Sequence, residues 1–285
     1  MGINLGPFAR IVGHNFRSSM VRIAAIRLYY SIVNMTAIGG DGRKFYCRAG
    51  YDYTLDASPS ATYLQEYTLS TPMMIKSMAI TKNVQLNGNV YLNSGPFFIP
   101  PPGNTAFQFK SSEKRVSLFP LASPYDLTTL PLTGQYTDEF YLPLIMRYVA
   151  ASPDGLEFFS CFKGYGIYRL SLRNPWDFSY FAGENWNRTP YPFNIIAFKP
   201  DGKTMYGLEL KVGEVVMHQY ALAPWDIDTL SWVGSYSVHK GAGSPAGLFV
   251  SEDGRYAYAA VFGNGQLPPG EGYYKITDMI QLQIS

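Results

Sequence analysis

"NIIAFKPDGKTMYGLELKVGEVVMHQYALAPWDIDTLSWVGSYSV" (residues 194–238) holds four apolar-rich segments separated by turn signals. "NIIAF" (194–198) is followed by Lys-Pro-Asp-Gly, and "TMYGLEL" (204–210) by "KVGE". "VVMHQYAL" (215–222) is followed by Pro-Trp-Asp, and "LSWVGSYSV" (230–238) completes the set. Asp-Gly between apolar runs is a hairpin signal, because Gly takes positive φ at low steric cost and Asp tolerates it. Pro lacks a donor and fixes φ, which suits a strand end. The Asp after it bonds nearby backbone amides. Both motifs are therefore read as structural turns, with the Trp lying against a neighbouring unit.

The same order recurs along the chain. Pro72, Pro124, Pro175 and Pro224 stand in "TPMMI", "SPYDL", "NPWDF" and "APWDI", at intervals of 52, 51 and 49 residues. Gly42, Gly103, Gly155, Gly202 and Gly254 open a second series, four with Asp before the Gly and one with Pro. The turn residues so marked are Asp154, Gly155, Pro175, Trp176, Asp177, Asp201, Gly202, Pro224, Trp225, Asp226, Asp253 and Gly254. A period near fifty with four strands per unit is the pattern of propeller blades, none of which buries both faces alone. The expected fold is all-β: a β-propeller of about five four-stranded blades with an extended N-terminal arm. The blades are placed at approximately 31–80, 81–134, 135–182, 183–236 and 237–285.

Composition agrees with a large β core. Of the 285 residues, 16% are aromatic and only 15% charged, a balance suited to strands rich in Tyr and Phe. The net charge of +2 supplies no general attraction to nucleic acid. No apolar run is long enough to span a membrane, and Arg10, Arg17, Arg22 and Arg27 interrupt those of the first thirty residues. Cys47 and Cys161 fall in repeats one and three, so two free, buried thiols are expected rather than a disulfide.

Residues 1–20 fit no blade and are read as an arm that needs a surface to lie on, another subunit in preference to the propeller itself. "VRIAAIRLYY" (21–30) resembles a strand that either closes the ring beside "IQLQIS" (280–285) or pairs with a neighbouring chain.

The motif set "FKPDGKTMY…VVMHQYALAPWDIDTLSW" resembles a β-propeller repeat of bacteriophage and other virus-like structural proteins, over about residues 36–285. The resemblance implies a non-enzymatic structural subunit of a bacteriophage virion, assembled in the host cytoplasm in several symmetric copies. Tail-associated placement leads. A capsid or collar decoration protein and a propeller binding a glycan or host receptor are the alternatives. Other virion proteins are the expected partners, a host surface glycan a further one; nucleic acid and membrane insertion are not expected.

No catalytic, cofactor or metal site is expected, because the candidate channel strands are almost wholly apolar and His14, His218 and His239 lie far apart in sequence. The face carrying the longer loops, read at 49–61, 133–144, 181–193 and 263–272, is the expected docking surface. Tyr and Trp anchor interfaces, so Tyr51, Tyr53, Tyr136, Tyr141, Trp186 and Tyr191 are candidates, together with Phe8, Arg10, Phe16 and Arg17 of the arm.

Overall fold

The computed structural model describes residues 20–28, 32–38, 44–49, 63–85, 97–100, 103–110, 114–126, 138–144, 146, 148–193, 195–241, 243–266 and 273–284. Its strands form five four-stranded antiparallel sheets. Sheet one runs β2 (Ile32–Ile38), β3 (Lys44–Ala49), β4 (Tyr63–Leu69), β5 (Met78–Gln85); sheet two β6 (Phe97–Phe98), β7 (Thr105–Lys110), β8 (Arg115–Pro120), β9 (Asp138–Tyr141). Sheet three is β10 (Val149–Ala151), β11 (Glu157–Phe162), β12 (Gly166–Leu172), β13 (Phe181–Asn187); sheet four β14 (Ile195–Phe198), β15 (Thr204–Lys211), β16 (Glu214–Ala223), β17 (Asp226–Lys240). Sheet five is ordered β18 (Ser244–Val250), β19 (Tyr256–Gln266), β20 (Tyr273–Ile284), and then β1 (Met20–Leu28).

The first strands of the sheets stand next to one another: β2 touches β6, β10 touches β14, β14 touches β18, and β18 returns to β2. Sheets two and three meet through side chains, where Phe107, Phe109 and Val116 pack on Phe158, Leu170 and Phe178. The five sheets thus close a ring, the propeller arrangement. The core lies between blades rather than within them. One cluster joins Phe159, Cys161 and Ile167 to Phe198, Met205 and Ile227; another joins Tyr206, Leu208 and Met217 to Leu248, Ala259 and Ile280.

This packing explains a feature of the sequence. The second strands are buried on both faces, so Phe158, Phe159, Ser160 and Cys161 are consecutive and all buried. Outer strands face a neighbour on part of one side only, and β17 alternates exposed and half-buried residues along most of its length. Each fully buried aromatic stabilises the fold by about 1.5–3 kcal/mol.

Four blade limits differ from the sequence reading. The fourth strands run on to Gln85, Tyr141, Asn187 and Lys240, so the expected limits at 80, 182 and 236 fall inside strands and the limit at 134 falls before β9. The segments 133–144 and 181–193, read as loops, contain β9 and β13. An outer strand needs few apolar residues, which leaves its pattern weak beside the glycine and proline turns used to mark the period. The N-terminal strand β1 pairs with β20, Met20 opposite Ile284 and Leu28 opposite Thr277. The last sheet is thereby completed by the other end of the chain.

Candidate functional site

The two turn motifs are in contact with each other. Trp176 donates its backbone N–H to the carbonyl of Gly155 at 2.9 Å, Trp225 to Gly202 at 3.1 Å and Tyr125 to Gly103 at 2.8 Å. A Cβ at Gly155 would meet the Trp176 ring at 2.2 Å, and one at Gly202 the Trp225 ring at 2.4 Å. These glycines carry φ of +70° and +68°, so both the turn and the indole above it demand Gly.

The aromatic ring also leans on the preceding blade: Trp176 stacks on Phe107 at 5.9 Å and Trp225 on Phe159 at 5.8 Å. Met73, Tyr125, Trp176 and Trp225 all adopt φ near +60°. That conformation costs a non-glycine residue about 1–2 kcal/mol; at Tyr125, Trp176 and Trp225 the ring contacts and the N–H bond offset it.

The acids serve the turns. Asp154, Asp201 and Asp253 accept backbone N–H groups from Leu156, Lys203 and Arg255, each at 3.0 Å. Asp177 accepts from Ser179 at 2.9 Å and Asp226 from Asp228 at 3.1 Å. The Ser179 bond, assisted by Asn174, holds the Asp177 carboxyl below the usual carboxylate range.

On the opposite face, at the mouth of the channel, lies a cavity of about 210 Å³. Tyr148, Ile195 and Ser244 line it from the starts of three inner strands; Phe193, Leu208 and the β11–β12 turn residue Lys163 complete it. Its lining mixes apolar side chains with the Tyr148 and Ser244 hydroxyls and the Lys163 cation. Tyr148 is left-handed, φ +49°.

Three exposed aromatics on blades three and four are the second feature of note. Trp232 on β17 is 62% exposed, Tyr165 in the β11–β12 turn 75% and Tyr180 before β13 62%. None of these was singled out by sequence reasoning. Trp232 sits in an alternating outer strand whose facing direction depends on register, so only the pairing Tyr220 to Trp232 decided its exposure.

The sequence candidates separate accordingly. Tyr141 is on the exposed edge strand β9, where it accepts a bond from the Arg115 guanidinium at 2.8 Å. Trp186 is not in a loop: it lies half-buried on β13, stacked on Phe162 at 5.4 Å. Tyr191 is buried against Phe193 and Tyr220 and offers nothing to a partner. Phe8, Arg10, Phe16, Arg17, Tyr51, Tyr53 and Tyr136 lie outside the described residues.

Cys161 is a free, buried thiol bonded to the Phe193 carbonyl at 3.2 Å, and burial pushes it up to about 12. The Cys47 side chain lies outside the described residues. His218 pairs with Glu209 at 2.7 Å and His239 faces Asp278 at 3.6 Å; His14 lies outside the described residues. Among the described residues, no group of three or more His, Cys, Asp or Glu is placed to hold a metal ion.

No family model matches the chain, and no curated protein matches it. Solved structures that resemble it include a putative 6-phosphogluconolactonase from Bacteroides fragilis, with TM-score 0.48 and 11% identity over 82% of this chain and 80% of that one. A periplasmic gluconolactonase from Pseudomonas aeruginosa gives TM-score 0.42 and 13% identity, over 89% of this chain and 70% of that one. Hydrazine synthase from Kuenenia stuttgartiensis gives 0.41 and 14%; the match covers 87% of this chain but only 62% of that one. Likenesses this distant assign no activity.

Proposed function

We propose that this chain is a non-enzymatic structural subunit of a bacteriophage virion, tail-associated, that docks to other virion proteins. The observation that carries the docking part is the set of exposed aromatics on blades three and four, Tyr165, Tyr180 and Trp232. Aromatic side chains left in water on a rigid scaffold are the residues that anchor protein interfaces. The virion assignment rests on the repeat resemblance of the Pro-Asp-Gly and Pro-Trp-Asp motifs. The apolar inner strands, such as Ile195–Phe198 with all four residues buried, favour a scaffold over a catalyst.

The deciding experiment is mass spectrometry of gradient-purified particles of the phage that encodes this sequence. Stoichiometric peptides in intact tails support the proposal. Abundance in the lysate with absence from particles sinks it.

The channel-mouth cavity favours a second reading, a propeller that binds a host glycan. Tyr148 would stack on a sugar face, with Ser244 and Lys163 bonding hydroxyls or an acidic group. Binding on a glycan array that Tyr148→Ala abolishes would select this reading.

A further inference from the structure

The cavity at the channel mouth is assembled from three blades. Tyr148 precedes β10, Ile195 opens β14 and Ser244 opens β18, and these inner strands are neighbours round the axis. Part of the lining is rigid and part is open. Phe193 is 1% exposed and stacks on Tyr191 at 5.4 Å, and its carbonyl accepts the Cys161 thiol at 3.2 Å. Gly207 makes room for this ring, since a Cβ there would stand 2.7 Å from it. The turn that carries Lys163 is pinned to the same segment: Gly164 donates its backbone N–H to the Tyr191 carbonyl at 2.8 Å. Lys163, Leu210 and Ser244 are exposed and Tyr148 is half-buried, so the open side of the cavity presents a cation, a hydroxyl and an aromatic ring to solvent.

Tyr148 stands apart in its backbone. Five described residues other than glycine have positive φ, and four of them, Met73, Tyr125, Trp176 and Trp225, belong to the turns between third and fourth strands. Tyr148, at φ +49°, belongs to none of those turns. Such strain in a bulky residue persists only where the surroundings hold it, and it concentrates at ligand sites. Here it sends the side chain of a blade-three residue against the core shared by blades four and five, which places an aromatic wall on the cavity.

The charge of the lining has one sign. Lys163 is the charged residue of the lining, and among the described residues no Asp or Glu contributes to it. Glu209 lies between Leu208 and Leu210, both of which line the cavity, and strand alternation turns it to the other face of β15. There it pairs with His218 at 2.7 Å and with the Lys211 ammonium at 3.7 Å.

We infer that this cavity takes a single terminal sugar ring that carries a carboxylate. The inference rests on the glycan reading of the cavity and adds the charge class of its ligand; it is independent of the virion assignment. A volume of about 210 Å³ lies below the range of about 300–1,000 Å³ usual for drug-sized ligands and suits one ring rather than a chain. Tyr148 stacks on the ring, Ser244 bonds a hydroxyl and Lys163 pairs with the carboxylate. A cationic sugar would meet Lys163 as a like charge, and a neutral one would leave the ion pair unmade.

The test is ligand-observed NMR titration of the full-length chain with methyl glucuronide and methyl galacturonide, against methyl glucoside and methyl galactoside. Each acid differs from its neutral counterpart only at the sixth carbon. At least one acidic sugar should saturate with a Kd of about 1–10 mM and bind about 3-fold tighter than its neutral counterpart, the scale of an ion pair open to water. Salt at about 1 M should erase most of that preference. Lys163→Gln should abolish the preference and leave the neutral sugar's affinity unchanged. Lys211→Gln, which removes a cation engaged by Glu209, should leave the preference intact. Both substitutions are at exposed positions, so an unchanged Tm is expected in each.

No saturation by any of the four sugars up to about 50 mM overturns this proposal together with the glycan reading. Equal affinity for acidic and neutral sugars overturns the proposal alone and leaves the glycan reading standing. A preference that survives Lys163→Gln, or that is lost in Lys211→Gln, overturns the part given to Lys163.

Discussion

Blades three and four and blade five solve one problem in two ways. Each must fasten its fourth strand and seal the groove toward the preceding blade. Blades three and four do so locally: Trp176 and Trp225 bond Gly155 and Gly202 and stack on Phe107 and Phe159. Blade five does so at long range, with β1 paired to β20 across almost the whole sequence. The local device recurs with the period and seals the groove with a ring. The long-range device closes the ring of blades, and among the described residues a Cβ at Gly254 would meet only Pro200, at 3.4 Å.

Removing the long-range device should have the largest effect. A chain lacking residues 1–28 exposes the outer edge of β20 and opens the ring, so loss of cooperative unfolding and aggregation in size-exclusion chromatography are expected. A soluble, cooperatively folded product would show that the local turns alone hold the propeller.

The glycines provide the next contrast. Gly155→Ala and Gly202→Ala set a Cβ 2.2–2.4 Å from an indole ring as well as imposing left-handed strain, and each should cost about 3–5 kcal/mol in urea unfolding. Gly254→Ala imposes the strain without that clash and should cost about 1–2 kcal/mol. Equal costs would mean that the ring contact contributes nothing to the glycine requirement.

Smaller effects should follow from Tyr258 and Tyr206, which stand four residues after Gly254 and Gly202. Tyr258→Phe removes the bond to the Met73 carbonyl and should destabilise by about 1 kcal/mol, whereas Tyr206→Phe removes a hydroxyl that has no hydrogen-bond partner among the described residues and should be neutral or stabilising. A comparable loss in both would show that Tyr206 has an acceptor after all.

The smallest effect concerns Asp177. Its folded pKa is depressed by bonds from Ser179 and Asn174, so its contribution is present above the unfolded carboxylate pKa and is lost as pH falls through the folded value. The stability difference between the wild type and Asp177→Ala should therefore be present at pH 7 and vanish at strongly acid pH. A difference that grows on acidification would reverse the assignment.

Much of the architecture was legible because its markers are chemically constrained. Gly155, Gly202 and Gly254 adopt positive φ, and Pro175 and Pro224 precede left-handed residues; such needs restrict the residue types at those positions. Outer strands were legible only in part. β13 was read as a loop because a strand facing solvent on much of its surface requires little apolar character. The candidate site was less legible still. Tyr191 and Trp232 are both large aromatics near outer strands, yet one is buried in an inter-blade core and the other 62% exposed. Facing direction follows from register, and register is a property of the pair of strands.

The local content of the chain determined the all-β class, the repeat near fifty residues, the turn roles of the Asp-Gly and Pro-Trp-Asp motifs and the burial of Cys161, since φ requirements, missing donors and continuous apolar runs act over a few residues. Tertiary structure alone decided that Trp176 rests on Gly155, that β1 completes blade five, and that Tyr148, Lys163 and Ser244 meet at the channel mouth. Those outcomes depend on which blade stands next to which, and that neighbourhood exists only once the ring has closed.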